Sequence, residues 1–586
     1  MKMFPDARTR RRFMVELLLR FALNLLLLLS PLYVRAQQNV DSSQANSGHN
    51  AGHPASETSP DKPGSLGSPY VELDSWIYPA IERLSALGYI HTEFLGMRPW
   101  TRLECARLIQ GIGDEIDSGG SVLSQASQFQ MELEKEFRLE LDALDEGQNR
   151  VIRLESVYAN LMGISGTPLN DSYHFGQTII NDYGRPYEEG MNSFGGFSVY
   201  ATAGRFAVYV RGEYQHAPSV PAYSLPVRQA IATMDENAVL PPTPVASTNQ
   251  FQLLDTYVAA NVANWNLAFG RQSLWWGPGD GGALLFSDNA EPIYMFRASR
   301  IAPFRLPGPF HWLGPMKWDV FYGKLSGNQY PPRPMIHGEK ISFKPTPNLE
   351  FGFSRTVELG GVGRPLTIGR ILRSYFSVTS SNNETPATDP GKRTGGFDFN
   401  YRLPFLRNWL TLYADSLSDD DPSPLAAPRR AGISPGFYLA KVPGISKLDL
   451  RVEAVNTDLP AAGSAGGKFI YWDSFYRDLY TDKNNLIGSW VGREGKGPQA
   501  SSTYWFSPRN TLQLGFRHAT VARDFIPSGE TMNDGSVKVE WWIRQDLSAC
   551  GFVQYEKWVA PVLAPIAQTN WTSSVEVTFW PSSWHK

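Results

Sequence analysis

Two cysteines in 586 residues, Cys105 and Cys550, leave no material for a disulfide framework. None of the nine histidines pairs with another at the spacing a metal site on a helix requires. Disulfide scaffolds and clustered zinc sites are thereby excluded, and neither a metal nor another cofactor is expected. The two cysteines read as isolated small apolar residues, with a bridge between them as the minor alternative. Charge excess is also scarce. The 54 Lys and Arg against 57 Asp and Glu give a net charge of −3, which argues against a nucleic-acid surface. Beyond the first forty residues, no segment approaches the roughly 20 consecutive apolar residues of a spanning helix.

What is present begins with an address. Basic residues Arg8, Arg10, Arg11, Arg12 and Arg20 precede or enter the apolar run FALNLLLLL, and a V-R-A ending at Ala36 follows. This fits a secretory signal peptide over residues 1–36, with the mature chain starting at Gln37. Residues 37–69 are rich in Ser, Gly, Asn and Pro and almost lack apolar side chains, the composition of a flexible leader.

The whole chain has 42% hydrophobic residues and a mean hydropathy of −0.29, yet it carries 17 Trp, 25 Tyr and 32 Phe. Residues 70–147 have helical periodicity. Leu73, Trp76, Ile77, Ala80, Ile81, Leu84 and Leu87 share one face, with Pro79 acceptable in a first turn. Thr101 and Glu104 form a capping-box pattern ahead of a second helix, and Phe129, Leu133, Phe137, Leu141 and Leu144 mark a longer third. Such a set predicts a small bundle or plug.

From Val151 the period changes to two. In KLDLRVEA, Leu448, Leu450, Val452 and Ala454 alternate with Lys447, Asp449, Arg451 and Glu453. VKVEWWIR places Val537, Val539, Trp541 and Ile543 against Lys538, Glu540, Trp542 and Arg544, and RFAVYVRGEYQ repeats the design. One face suits lipid and the other a polar lumen. A soluble sandwich has the same alternation, but connection lengths separate the two. Short links near Gly204, Asn264, Pro347, Leu406, Pro443, Pro508 and Ser548 alternate with long ones at 217–250, 277–291, 360–394, 419–435, 459–500 and 522–535. One link, around residues 307–315, is long where parity requires a short one. The count predicts an all-β transmembrane barrel of about eighteen antiparallel strands over residues 151–586, with the helical bundle at its periplasmic end.

Parity puts LWWGPGDGGALLFSDNAEP, residues 274–292, at the external end of an ascending strand. Gly277, Gly279 and Gly282 spell a nucleotide-loop pattern, but Pro278 lacks an N–H and no helix follows. Asp280, Asp288, Asn289 and Glu291 offer oxygen ligands without EF-hand spacing. Trp275 and Trp276 beside Asp280 and Asn289 suit either a turn packed on the barrel or a sugar platform, in which an aromatic face stacks and polar groups bond hydroxyls. A second such concentration, residues 469–495, interleaves Tyr476 and Trp490 with Asp473, Arg477, Asp478 and Asp482. It could line a glycan groove or fold over the barrel mouth on its own aromatics. The candidate polysaccharide-binding residues are therefore Trp275, Trp276, Asp280, Asn289, Tyr476 and Trp490. No serine elbow, metal cluster or acid/base pair stands out, so no catalytic residue is assigned.

The runs GRQSLWWGPGDGGALLFSDNAEP and HGEKISFKPTPNLEFGFSRTVELGGVGRP, with LDSWIYPAIERLSALGYI and RPWTRLECARLI before them, resemble the capsule-assembly outer-membrane protein family of the Wzi type. The likeness covers the mature chain from about residue 70. It implies an outer-membrane barrel with surface-exposed loops in a Gram-negative bacterium, acting as a lectin that helps retain capsular or other surface polysaccharide. The final FWPSSWHK runs past the aromatic pair Phe579 and Trp580 that a barrel-assembly signal would use, and the long leader lies outside the likeness. Expected partners are capsular or exopolysaccharide and outer-membrane lipids, with the chain a monomer. Peptidoglycan contact is a weaker expectation, from a faint likeness of LDSWIYPAIERLSALGYI to S-layer homology segments. The competing function is a sugar-permeable porin, because about eighteen strands can enclose an aqueous channel; a surface hydrolase is a third.

Overall fold

Alternation between lipid-facing and lumen-facing side chains is realised in the computed structural model, which describes residues 65–117, 125–376, 391–404, 409–419, 423–426, 428–459, 466–478 and 480–581. The signal peptide, most of the leader and the last five residues lie outside these. The wall strands are β1 Arg150–Ser165, β2 Gly190–Ala203, β3 Phe206–Ala217, β4 Thr248–Val262, β5 Trp265–Gln272, β6 Ile293–Arg300, β7 Met316–Lys324, β8 Met335–Thr346 and β9 Leu349–Leu359. They continue as β10 Lys392–Arg402, β11 Leu410–Asp419, β12 Ala431–Leu439, β13 Leu450–Asn456, β14 Gly495–Ser507, β15 Asn510–Val521, β16 Glu530–Arg544, β17 Leu547–Val559 and β18 Gln568–Phe579. Each pairs antiparallel with its sequence neighbours, and β1 closes on β18 from Val157 opposite Phe579 to Ser165 opposite Trp571. The sheet is a closed 18-stranded barrel. Closure leaves no unpaired edge, the condition for crossing a bilayer with strands.

The outward rows are the predicted ones. Val537, Val539, Trp541 and Ile543 are exposed, as are Phe206 and Val208, whereas Tyr209, Arg211 and Glu213 are buried inside. Two-residue turns at 204–205, 263–264, 347–348, 508–509 and 545–546 occupy one end of the barrel. The long link there holds a 3-10 turn, Gly308–Leu313. The opposite end carries the long connections, including 166–189, 325–334 and 560–567, which the reading of turn lengths did not single out.

The N-terminal helices are α1 Ile77–Leu87, α2 Arg102–Asp117, α3 Gln125–Glu136 and α4 Arg138–Glu146, and α5 Leu225–Met234 lies in a long connection. The expected third helix is two, broken at Phe137, whose φ of −100° and ψ of 18° leave the helical region. The capping box forms: the Thr101 N–H donates to Glu104 Oε2 at 2.8 Å and the Glu104 N–H to Thr101 Oγ1 at 3.2 Å. Ile81, Leu84, Cys105, Phe129 and Phe137 make a core of their own, joined from the wall by Trp505. Charged residues then bind the bundle inside the short-turn end. Arg102 reaches Glu155 on β1 at 3.0 Å, Lys344 on β8 reaches Glu93 at 3.2 Å, and Arg83 reaches Asp449 at 3.4 Å. Residues 65–69, read from composition as the end of the leader, are packed. Leu66 is buried with Leu103 and Ala143, and the Gly67 N–H donates to the Gly204 carbonyl at 2.9 Å. Asn261 Nδ2 donates to the Leu66 carbonyl at 2.8 Å and the Leu103 N–H to Ser68 Oγ at 3.0 Å, so the segment is tied to both the wall and the bundle. Cys105 and Cys550 are both free thiols.

Candidate functional site

Strand β5 ends early, at Gln272, and the chain then turns into the lumen rather than staying at the rim. Asp255 on β4 takes the Ser273 N–H at 2.7 Å and starts this turn. Trp275 and Arg98 exchange both backbone hydrogen bonds, at 3.0 and 3.1 Å, so the segment meets the helical region in mid-barrel. The Trp275 ring is buried and donates its Nε1–H to the Gly279 carbonyl at 3.2 Å. Trp276 is 1% exposed and packs edge-on against Phe286 and Phe321, with centroids 5.5 and 5.4 Å away. Neither tryptophan therefore belongs to an interfacial girdle. Both lie past the end of the strand, where the rule of opposite faces for adjacent residues no longer applies.

The glycine-rich tip does hold anions with backbone N–H groups, but they are the barrel's own. Asp280 and Gly281 donate to Glu453 on β13 at 2.8 and 3.0 Å, and Leu284 donates to Asp415 on β11 at 2.6 Å. The segment thus crosses the lumen from β5 to the far wall. A Cβ on Gly281 would fall 1.2 Å from the end of the Gln499 side chain, which would have to swing aside, and Gly282 has φ +124°. Among the described residues, no group of three or more His, Cys, Asp or Glu could hold a metal ion. Asp280 is exposed into a polar chamber of about 350 Å³, also lined by Gln499, Arg517, Lys538 and Gln554.

Above this crossing, the long connections build a cap with its own apolar core, in which Phe175, Met234, Trp276, Phe286, Ile487 and Trp490 take part. Tyr471 and Tyr480 donate their hydroxyls to the Leu284 and Leu285 carbonyls at 2.6 and 2.9 Å, which pins both tyrosines onto the crossing segment. Asn289 is 1% exposed; its Oδ1 accepts the Asn181 N–H at 3.1 Å and its Nδ2 donates to the Leu486 carbonyl at 3.4 Å. Trp490 lies under the Arg517 guanidinium, 4.9 Å from the ring centre, and Tyr476 under that of Arg364 at 4.4 Å. Polar ties reinforce the cap. His174 bonds Asp171 at 2.8 Å and Asp235 at 2.9 Å, and Asp235 also receives Arg493 at 2.6 Å, so three separate connections are joined. Burial opposes a charge on the His174 ring, but the two carboxylates outweigh it and push its pKa up to about 10.

Five of the six candidate side chains, Trp275, Trp276, Asn289, Tyr476 and Trp490, are thus buried, and Asp280 alone is exposed. Accessible aromatic surface lies next door. Phe475 and Tyr330 are half-buried; Arg364 sits over Phe475 at 5.4 Å and Arg477 over Tyr330 at 6.0 Å. Arg477 also donates to Asn237 Oδ1 at 2.8 Å, and Asp478 accepts the Gln329 N–H at 2.5 Å. Burial pushes the Asp478 carboxyl up, against the pull of its backbone donors. Ser474, Gln329 and Arg333 are exposed at the edge. The sequence reading reached Arg477 through the aromatic-polar run but missed Tyr330, which belongs to another connection and carries no local signal.

A family profile described as capsule assembly protein Wzi matches residues 160–572, most of the barrel. The chain belongs to the capsule assembly protein Wzi family. A curated relative, an uncharacterised 55.8 kDa protein in the cps region of Klebsiella pneumoniae, is 28% identical over 181 residues. That alignment spans 30% of this chain and 35% of the relative's length. The solved structure of Wzi from Escherichia coli, titled an outer membrane protein involved in group 1 capsule assembly and a carbohydrate binding β-barrel, superposes with a TM-score of 0.63 at 17% identity. It covers 88% of this chain and 99% of its own. Family membership and the closed 18-stranded wall make this chain an outer-membrane β-barrel.

Proposed function

We propose that this Wzi-family barrel is a non-enzymatic carbohydrate-binding protein whose cap contacts capsular or other surface polysaccharide and helps to assemble or retain it at the cell surface. The observation that carries the reading is the cap itself. Long connections pack into an apolar core over a lumen crossed by residues 273–292, and leave a rim of Phe475, Tyr330, Arg364 and Arg477 facing outward. A polymer meets that rim without entering the barrel. Half-exposed aromatic faces suit the apolar side of sugar rings, and guanidinium, amide and hydroxyl groups beside them suit hydroxyls and uronate carboxylates. Trp275, Trp276, Asn289, Tyr476 and Trp490 support the rim from below instead of touching glycan, and Asp280 serves the internal chamber. The same crossing segment disfavours the porin alternative.

The test is direct binding of purified capsular polysaccharide, normalised to folded barrel, alongside planar-bilayer conductance. Phe475→Ala and Arg477→Ala should each weaken binding by roughly tenfold, corresponding to about 1.4 kcal/mol. Unchanged affinity in both variants would remove the rim from the binding surface. A steady ionic current through the wild-type barrel would favour the porin, and shortening of the glycan would favour an enzyme.

A further inference from the structure

The connection 360–391 contains a helix, α6 Ile368–Phe376, that packs on the outside of the barrel rather than over its mouth. The register establishes this placement. On β8 the lumen-facing residues are Lys340 and Lys344, which bind Asp398 and Glu93 inside. His337 and Glu339 therefore project from the outer face. His337 is nevertheless 1% exposed, because the Tyr375 ring stacks on it at 4.1 Å and Ser374 Oγ lies 2.7 Å from its Nε2. Arg355, directly opposite Glu339 on β9, donates to the Tyr375 carbonyl at 3.1 Å.

These polar groups sit within the lipid-facing band. His337 is opposite Tyr322, Tyr322 opposite Phe296, and Phe296 opposite Phe269. Phe296 and Phe269 are 50% and 62% exposed on the outer wall. Polar side chains on that row are costly in hydrocarbon unless something covers them. The helix supplies the cover with Ser374 and Tyr375, and its other side carries Ile368, Leu372 and Phe376, which are 79%, 52% and 46% exposed. These recur at four-residue spacing and form one apolar stripe. Arg373, exposed beside it, suits the phosphate layer of the membrane surface.

We propose that α6 lies in the outer leaflet of the membrane, with Ile368, Leu372 and Phe376 among the acyl chains. The stripe continues the lipid-facing belt around a patch where the wall itself is polar. The helix acts as a clamp between cap and bilayer, since Arg364, just before it, packs on Phe475 and Tyr476.

The full-length protein with Cys105→Ala and Cys550→Ser, carrying Leu372→Cys with a nitroxide label, tests this in vesicles of phosphatidylcholine and phosphatidylglycerol. Phe269→Cys serves as the lipid-facing reference and Val239→Cys, on the cap, as the aqueous one. The expected ratio of oxygen to nickel-chelate accessibility at position 372 is several-fold above that at 239 and close to that at 269. A ratio matching 239 would overturn the proposal, as would spin–spin broadening between labels showing that a second copy of the chain covers the helix.

Discussion

Arg98 and Trp275 exchange two backbone hydrogen bonds in the middle of the barrel, one residue arriving from the helical region at the short-turn end and the other from a long connection at the opposite end. Arg98 also forms an ion pair with Glu82, which takes Arg451 of β13 at 2.7 Å on its other oxygen. Each plug segment therefore anchors the other and the wall. The lumen is filled by a continuous hydrogen-bonded structure, not by two independent lids.

Removal of residues 70–147 should consequently do more than open a gate. It would leave Glu155, Asp449, Lys344 and Lys317 without their helical counter-charges. Higher single-channel conductance together with a lower unfolding temperature is expected. A truncated barrel as stable as the full chain and still electrically silent would contradict the coupling.

Arg102 is the most heavily committed of the buried cations, pairing Glu136, Glu140 and Glu155 at 3.0, 2.6 and 3.0 Å. Arg102→Ala strands these carboxylates in a buried site and should cost about 3–5 kcal/mol. Denaturant unfolding followed by tryptophan emission measures it. Arg102→Lys should recover only part of the loss, because one ammonium cannot reproduce the guanidinium's divergent donors.

Trp276→Ala should open a void among Phe286, Phe321 and Leu284 and destabilise the protein by about 3–5 kcal/mol. Glycan affinity per folded molecule should hardly change. Calorimetry and polysaccharide binding on the same preparation separate the two effects, and a selective loss of binding would return Trp276 to the contact surface.

The His174 knot makes cap stability depend on pH. Its imidazole has a folded pKa of about 10, above the ordinary unfolded value near 6.5. The stabilisation is therefore fully present below about pH 6.5 and lost progressively as pH rises through about 10. Asp235 moves the other way. Burial would raise it, but His174 and Arg493 hold it down to about 2, so its contribution disappears only as pH falls toward that value. Hydrogen exchange of residues 171–175 should accelerate between pH 7 and 10 beyond the intrinsic rate, and His174→Gln should flatten that dependence.

Cys105 is buried and Cys550 half-buried on the inner wall, both as thiols. A small maleimide should label Cys550 slowly in the folded barrel and Cys105 only after unfolding. No reductant should be needed for full labelling in denaturant.

The strand count, the polarity of turns and the capping box at Thr101 were all legible in the sequence, because each rests on a local rule. A residue two positions along a strand returns to the same face, a two-residue turn cannot cross a barrel, and a capping box closes within four residues. The repetition of Leu448, Leu450, Val452 and Ala454 opposite Asp449, Arg451 and Glu453, together with the alternation of short and long connections, was thus sufficient to predict a lipid face and a polar lumen. The course of residues 273–292 was not legible. Strand parity put WWGPGDGG at the external end of a strand but says nothing of where the chain goes beyond it, and the deciding partners, Asp415, Glu453 and Arg98, lie more than a hundred residues away in sequence. Their unmet carboxylates and carbonyls inside the barrel draw the loop inward to supply N–H donors. The same holds for α6, whose stripe the sequence carries in plain view but whose lipid-facing placement depends on His337 and Arg355 standing on the outer wall. Local periodicity determined the barrel; the pairing of buried polar groups across long separations decided what fills it, what caps it and what remains exposed at its surface.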